Sequence, residues 1–181
     1  MTKEYITPKY TNSNEIKNVR SMLKLTQKQF ADFVGVSKPT VERWEAGDDK
    51  ITGPIVLLIE ILRHSPQIES DFSLPQREGK MRLKYFYRDM LCTVIDVDEI
   101  KQRVIIKNYT DNLLFRAFGK NEHPSFADYE EFLESMCFPK SRDKMKLMLK
   151  EYDIPFYDPL LIIEKTGGRM EEDDFRIEVE R

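Results

Sequence analysis

Residues 37–47 read "SKPTVERWEAG". Two hydroxyls (Ser37, Thr40), a lysine (Lys38), an arginine (Arg43) and the chain's single tryptophan (Trp44) stand within eight residues of one another. No catalytic constellation supports an enzyme, so the chemistry on offer is recognition rather than bond breaking. Arg is the side chain best suited to a bidentate contact with guanine in the major groove of DNA. Lys38 and Thr40 can reach base edges or phosphates. If the stretch is a helix, Arg43 lies one turn beyond Pro39 and Thr40 on the same face. Trp44 reads as a packing residue rather than a base reader.

Other chemistry-bearing residues make weaker cases. Cys92 and Cys137 are isolated, with no C-x-x-C pair, which argues against a zinc module. His123 lies 14 residues before Cys137, and no positioning partner stands near it, so a nucleophilic thiol is not expected. "RMEEDDF" (residues 169–175) clusters four carboxylates that can meet a divalent cation, but it reads more simply as a solvated loop before a last strand. "EKTGGRM" lacks phosphate-loop spacing, and Gly167 reads as a helix C-cap. The stripe Met145, Leu147, Met148 and Leu149 reads as core. No catalytic residue, metal site or cofactor is expected, and the chain is not read as an enzyme.

The elements that must position residues 37–47 follow from local signals. Residues 1–13 read as a flexible polar arm. Asn14 is placed to cap a first helix with Ile16, Val19, Met22 and Leu23 on one face. Thr26 caps a second, "QKQFADFV", with Gln29 at the capping-box position. Gly35 suits the left-handed C-cap that ends it. Ser37 caps the third helix and Pro39 lies in its first turn, where the missing N–H costs nothing. Gly47 ends that helix. Thr52 and Pro54 open a fourth, "IVLLIEILRH", apolar enough to be largely buried.

Residues 64–80 carry two prolines, a glycine and many polar groups, and a linker is placed at 67–80. Beyond it "RLKYFYR", "LCTVIDV" and "RVIIKN" predict an antiparallel meander. "NLLFRAFG" is a candidate fourth strand and "DDFRIEVE" a closing one. Helices are expected over 125–136, 141–152 and 158–165, with Ser141 as an N-cap. The fold class is therefore α+β: an all-α domain at 14–66, then a small α+β domain with an antiparallel sheet at 81–181.

Charge supports this division. The net charge is −3, which taken alone disfavours nucleic acid. Its distribution matters more. Residues 1–80 hold 12 basic and 11 acidic side chains, residues 81–181 hold 17 and 21. Residues 16–44 hold six basic against two acidic, a basic patch on the segment with the recognition chemistry. The N-terminus has no apolar leader-like run and no apolar stretch reaches membrane-spanning length; a reduced, cytoplasmic protein is expected.

A short helix, a Gly-centred turn and a second short helix form the helix-turn-helix signature. On "LTQKQFADFVGVSKPTVERWEAG", residues 16–62 resemble the DNA-binding domain of Xre/Cro-family repressors: Thr26-Gln27, Ala31, Val34-Gly35-Val36, Val41 and Trp44-Glu45-x-Gly47 carry the pattern. The segment is especially similar to the domain of MqsA-type antitoxins, although the zinc half of that family, with its paired cysteines, has no counterpart here. The resemblance implies that Gln27 reaches a phosphate and that Lys50 and Thr52 contact the backbone from the loop before the fourth helix. The full set of candidate DNA contacts is Gln27, Lys28, Ser37, Lys38, Pro39, Thr40, Arg43, Lys50 and Thr52. Pro39 departs from relatives with Gln or Ser there, leaving apolar contact, such as to a thymine methyl.

The resemblance further implies a homodimer on a palindromic operator in double-stranded DNA, with half-sites about one helical turn apart. Residues 81–181 are weakly similar to the leading module of HipA-type proteins, kinase toxins partnered by helix-turn-helix antitoxins, and no residue role carries over. The reading is a transcriptional regulator, an autorepressor of antitoxin or mobile-element type, holding a protein partner such as a toxin through 81–181. "YFY", "LLFRAF" and "IPFYDPLLII" are candidate partner surfaces. Two alternatives stand: a repressor whose C-terminal half senses a ligand, and an inhibitor whose helix-turn-helix only autoregulates it.

Overall fold

The computed structural model describes residues 3–138, 145–169 and 174–181. The chain forms two compact units, Met1–Ser73 and Leu74–Arg181. One is helical and the other carries a four-stranded antiparallel sheet with helices, so the protein is α+β.

The first unit holds α1 (Ser13–Met22), α2 (Gln27–Val34), α3 (Lys38–Ala46), α4 (Pro54–His64) and a short α5 (Ile68–Phe72). Asn12, not Asn14, caps α1. Its side chain accepts from the Glu15 backbone N–H, and Glu15 answers with a bond to the Asn12 N–H. The N-x-x-E spacing decides the cap, because only a residue three before the Glu can share this reciprocal pair. Residues just before the cap are also held: Thr11 and Ile51 exchange two backbone hydrogen bonds of 2.9 Å. Thr26 and Gln29 form the expected capping box on α2, and Gly35 ends it at φ 72°. Ser37 caps α3, with Pro39 in its first turn. Thr52 does not cap α4; Gly53 holds that position at φ 101°, with no side-chain cap.

Ile16, Val19, Phe30, Ala31, Val41, Ile55, Val56, Ile59 and Leu62 form the core of this unit. The fourth helix is less buried than its composition suggests. Leu57 and Ile61, one turn apart, are 49% and 40% exposed, so α4 buries one apolar face and presents another. The stretch 67–80 contains α5 in the first unit and Leu74–Lys80 in the second.

In the second unit β1 (Met81–Tyr87), β2 (Met90–Asp98), β3 (Arg103–Asn108) and β4 (Phe175–Glu180) pair in the order β3-β2-β1-β4. Leu83 lies opposite Ile95 on one side and Val179 on the other. This face packs with α6 (Phe126–Ser135) and α8 (Pro159–Thr166) into one core that includes Tyr129, Leu133, Ile162 and Ile163. Between them α7 spans Met145–Glu151; the expected cap at Ser141 and the carboxylates at 171–173 lie outside the described residues.

The opposite face is built on the register pair Arg82–Asp96, both almost fully buried and joined at 2.6 and 2.7 Å. The carbonyl of Pro75 accepts a further bond from Arg82.

The stretch "NLLFRAFG" is not a strand. The Asn112 carboxamide accepts from the Leu114 N–H, the Asn112 carbonyl accepts from the Phe115 N–H, and Arg116 donates back to the Thr110 carbonyl. An Asn that supplies its own turn offers the backbone an alternative to a ladder. The apolar side chains of this turn divide: Phe115 stacks on Tyr87 at 4.3 Å, while Leu114 is 84% exposed.

Candidate nucleic-acid interface

The α2–turn–α3 unit is made rigid from below. Glu45 on α3 is 5% exposed. Its carboxylate accepts from Arg20 Nε at 2.6 Å and Nη2 at 3.0 Å, and from Gln27 Nε2 at 2.8 Å. Arg20 lies on α1 and Gln27 opens α2, so three helices meet on one carboxylate. Burial pushes the Glu45 carboxyl up, but the bonds from Arg20 and Gln27 and the Arg20 charge outweigh it and hold it below the usual range. Arg20 is correspondingly raised, chiefly by its bond to Glu45.

This changes the meaning of two residues. Arg20 counted towards the basic patch in the sequence, yet its charge is spent internally; the basic window stopped at Trp44, one residue short of the partner. Gln27 is held by Glu45 through one amide proton and keeps a second amide proton for other contacts.

The turn itself is closed by the Val36 N–H bonding the Ala31 carbonyl at 2.9 Å, the six-to-one bond of a Schellman motif. No atom lies within 4 Å of where a Gly35 Cβ would stand. Glycine is needed there for its positive φ alone.

On α3, Val41 is fully buried and Trp44 packs against the core. With Glu45 buried beneath, the exposed face of the helix carries Lys38, Pro39, Glu42 and Arg43. Ser37 Oγ caps the Thr40 N–H and lies 2.9 Å from the Thr40 hydroxyl. Lys38 pairs with Glu42 at 2.9 Å and Lys28 with Asp32 at 2.5 Å, both exposed. Such pairs contribute little and open readily to another anion. Pro39 and Arg43 are exposed. Arg43 has no side-chain partner among the described residues, so its guanidinium is available in full.

Lys50 and Thr52 flank Ile51, which the Thr11 bridge fixes, and both are exposed. The Lys50 ammonium lies 4.3 Å from the centre of the Tyr10 ring, a cation–π contact. Tyr10, Thr11 and Glu45 were missed in the sequence. Their roles depend on partners 18 to 40 residues away, which no local pattern signals.

Residues 16–61 match the family model described as Helix-turn-helix. This is a helix-turn-helix domain. The match runs from inside α1 to inside α4 and supports a DNA-binding transcriptional regulator of the Xre type. It covers about a quarter of the chain, and none of the curated proteins compared matches the sequence. The helix-turn-helix domain presents an exposed α3 face on which Arg43 is unpaired among the described residues.

Cys92 and Cys137 are free and buried. Burial, with the charges of Asp158 and Glu134, pushes the Cys137 thiol up to about 12, opposite to the shift a nucleophilic thiolate needs. Among the described residues no helix is long and apolar enough to cross a membrane.

Proposed function

We propose that the protein is a sequence-specific autorepressor that binds a palindromic operator as a homodimer through α3, while residues 81–181 hold a protein partner. The observation that carries the DNA half is Arg43: exposed, unpaired among the described residues, and one turn beyond the capped start of a helix whose other face is locked to α1 and α2. Ser37, Lys38, Pro39 and Thr40 supply the leading edge. Gln27, Lys28, Lys50 and Thr52 supply phosphate contacts. No catalytic step belongs to this reading.

The partner half draws support from the resemblance of α1–α4 to MqsA-type antitoxins and of the second unit to the leading module of HipA-type kinase toxins. Of the apolar stretches singled out in the sequence, Tyr85 is core, whereas Leu114 and Phe156 are 84% and 59% exposed. A partner surface is therefore expected to use the latter two.

The test is binding of the purified protein to DNA from its own promoter, across a salt series and against scrambled competitor. The reading predicts preference for the promoter with a steep fall in affinity as salt rises. Equal binding to scrambled DNA contradicts it.

A further inference from the structure

The chain before α1 is exposed from residue 3 to Tyr10 and enters the fold at Thr11, which is 2% exposed. Two sets of bonds hold Thr11 there. The bridge to Ile51 closes with a backbone hydrogen bond of 2.9 Å in each direction. The Thr11 hydroxyl donates to Glu15 on α1 at 2.7 Å, and Glu15 pairs with Arg63 on α4 at 3.5 Å. Ile51 packs against the core of the helical unit. The loop between α3 and α4 is thus anchored to the segment that precedes α1.

Successive side chains of an extended chain point to opposite sides. With Thr11 and Ile51 turned inwards, Tyr10, Lys50 and Thr52 are left on the outer side, and all three are exposed. Lys50 and Thr52 are the loop residues assigned above to phosphate. The Lys50 ammonium lies 4.3 Å from the centre of the Tyr10 ring. Asp48 and Asp49 precede it in the chain, yet Lys50 enters no ion pair among the described residues.

An aromatic face and a carboxylate hold a lysine in different ways. The ring attracts the ammonium through its quadrupole and carries no net charge, so it confines the cation without cancelling it. Lys28 and Lys38 lie against Asp32 and Glu42, and each must leave a carboxylate to meet a phosphate. Lys50 need not. A side chain already confined also loses less rotamer freedom on binding.

We propose that Tyr10 is a positioning residue of the DNA interface. Its ring holds the Lys50 ammonium, with its charge intact, for a backbone phosphate, and the Thr11–Ile51 bridge keeps ring and loop together. The inference rests on the reading of α2 and α3 as a DNA-binding unit, and it extends that interface to a segment outside the matched residues 16–61.

Fluorescence anisotropy of the full chain on a preferred site and on a scrambled duplex, across a salt series, tests it. Tyr10→Ala should weaken binding to both duplexes alike, by about threefold, the size of an exposed cation–π contact. Tyr10→Phe keeps the ring and should bind as the parent does. In a Lys50→Ala background Tyr10→Ala should cost nothing further, because the side chain it positions is gone. A purely structural role would lower affinity equally in both backgrounds, and that result overturns the proposal. So does Tyr10→Ala binding as tightly as the parent. Tyr10→Phe binding as weakly as Tyr10→Ala overturns it too, because the hydroxyl and not the ring would then matter. Arg43→Ala separates this inference from the reading beneath it. If Arg43→Ala relaxes sequence preference while Tyr10→Ala changes nothing, the inference fails and the DNA-binding reading stands. A parent protein that binds no DNA overturns both.

Discussion

Arg20 and Glu45, 25 residues apart, meet in a two-point ion pair at 2.6 and 3.0 Å that ties α1 to α3. Removing one partner of a buried pair leaves the other charge desolvated and uncompensated. Glu45→Gln is therefore expected to destabilise the helical unit by about 3 kcal/mol. Trp44, the chain's single tryptophan, sits beside this core, so its fluorescence in a urea titration reads the change directly.

The same pair sets an acid limit. The folded Glu45 carboxyl lies below its ordinary value, and Glu15 is also lowered, first by the bond from the Thr11 hydroxyl. A depressed carboxyl contributes stability that is fully present above its unfolded pKa, about 4.3. That stability is lost as pH falls through the folded value. The helical unit should hold its melting temperature from neutral pH to about 5 and lose it steadily below 4. Glu45→Gln should flatten that slope, and Trp44 fluorescence melts across the series check it.

Two glycines fail for different reasons when given a side chain. At Gly35 the space is open and only φ 72° resists, so Gly35→Ala costs about 1 kcal/mol and Gly35→Asn less, because Asn tolerates the left-handed region. At Gly79 a Cβ would stand 2.3 Å from the Val97 carbonyl oxygen. Main chain cannot yield there, so Gly79→Ala costs about 2 kcal/mol and Gly79→Asn more. Urea titrations of the four variants should show the order of Ala and Asn reversing between the two sites.

The capped helices were legible because their signals are local. Thr26 with Gln29, Ser37 with Pro39, and Gly35 each act within four residues. The three meander strands and β4 were legible from short β-branched and aromatic runs, β1 from its aromatics alone. Asn14 and Asn12 both have the chemistry of a cap, and Glu15, three residues after Asn12, is the local signal that decides between them. The 112–119 run reads as a strand in sequence because its apolar content hides the turn chemistry of Asn112. Glu45 and the Tyr10–Lys50 contact were beyond reach for another reason: each depends on tertiary partners, and Glu45 reads in sequence as one more surface acid. The α4 face carrying Leu57 and Ile61 was masked by a helix apolar all round.

Lys50 and Arg43 should differ in what their loss does to DNA binding. Lys50 stands in the loop before α4, held beside Tyr10. Lys50→Ala should weaken binding to every sequence alike and lower the slope of log affinity against log salt by about one. Lys28→Ala should act in the same direction. Fluorescence anisotropy on a preferred site and a scrambled one, at four salt concentrations, separates this from a loss of specificity.

The most direct test of the central claim is Arg43→Ala on a site selected from random DNA by the parent protein. Arg43 donating to a base edge predicts a loss of about 1–3 kcal/mol of discrimination at one position in each half-site, with non-specific affinity nearly kept. An Arg43→Ala protein that selects the same sequence with the same preference would show that α3 does not read bases in the groove.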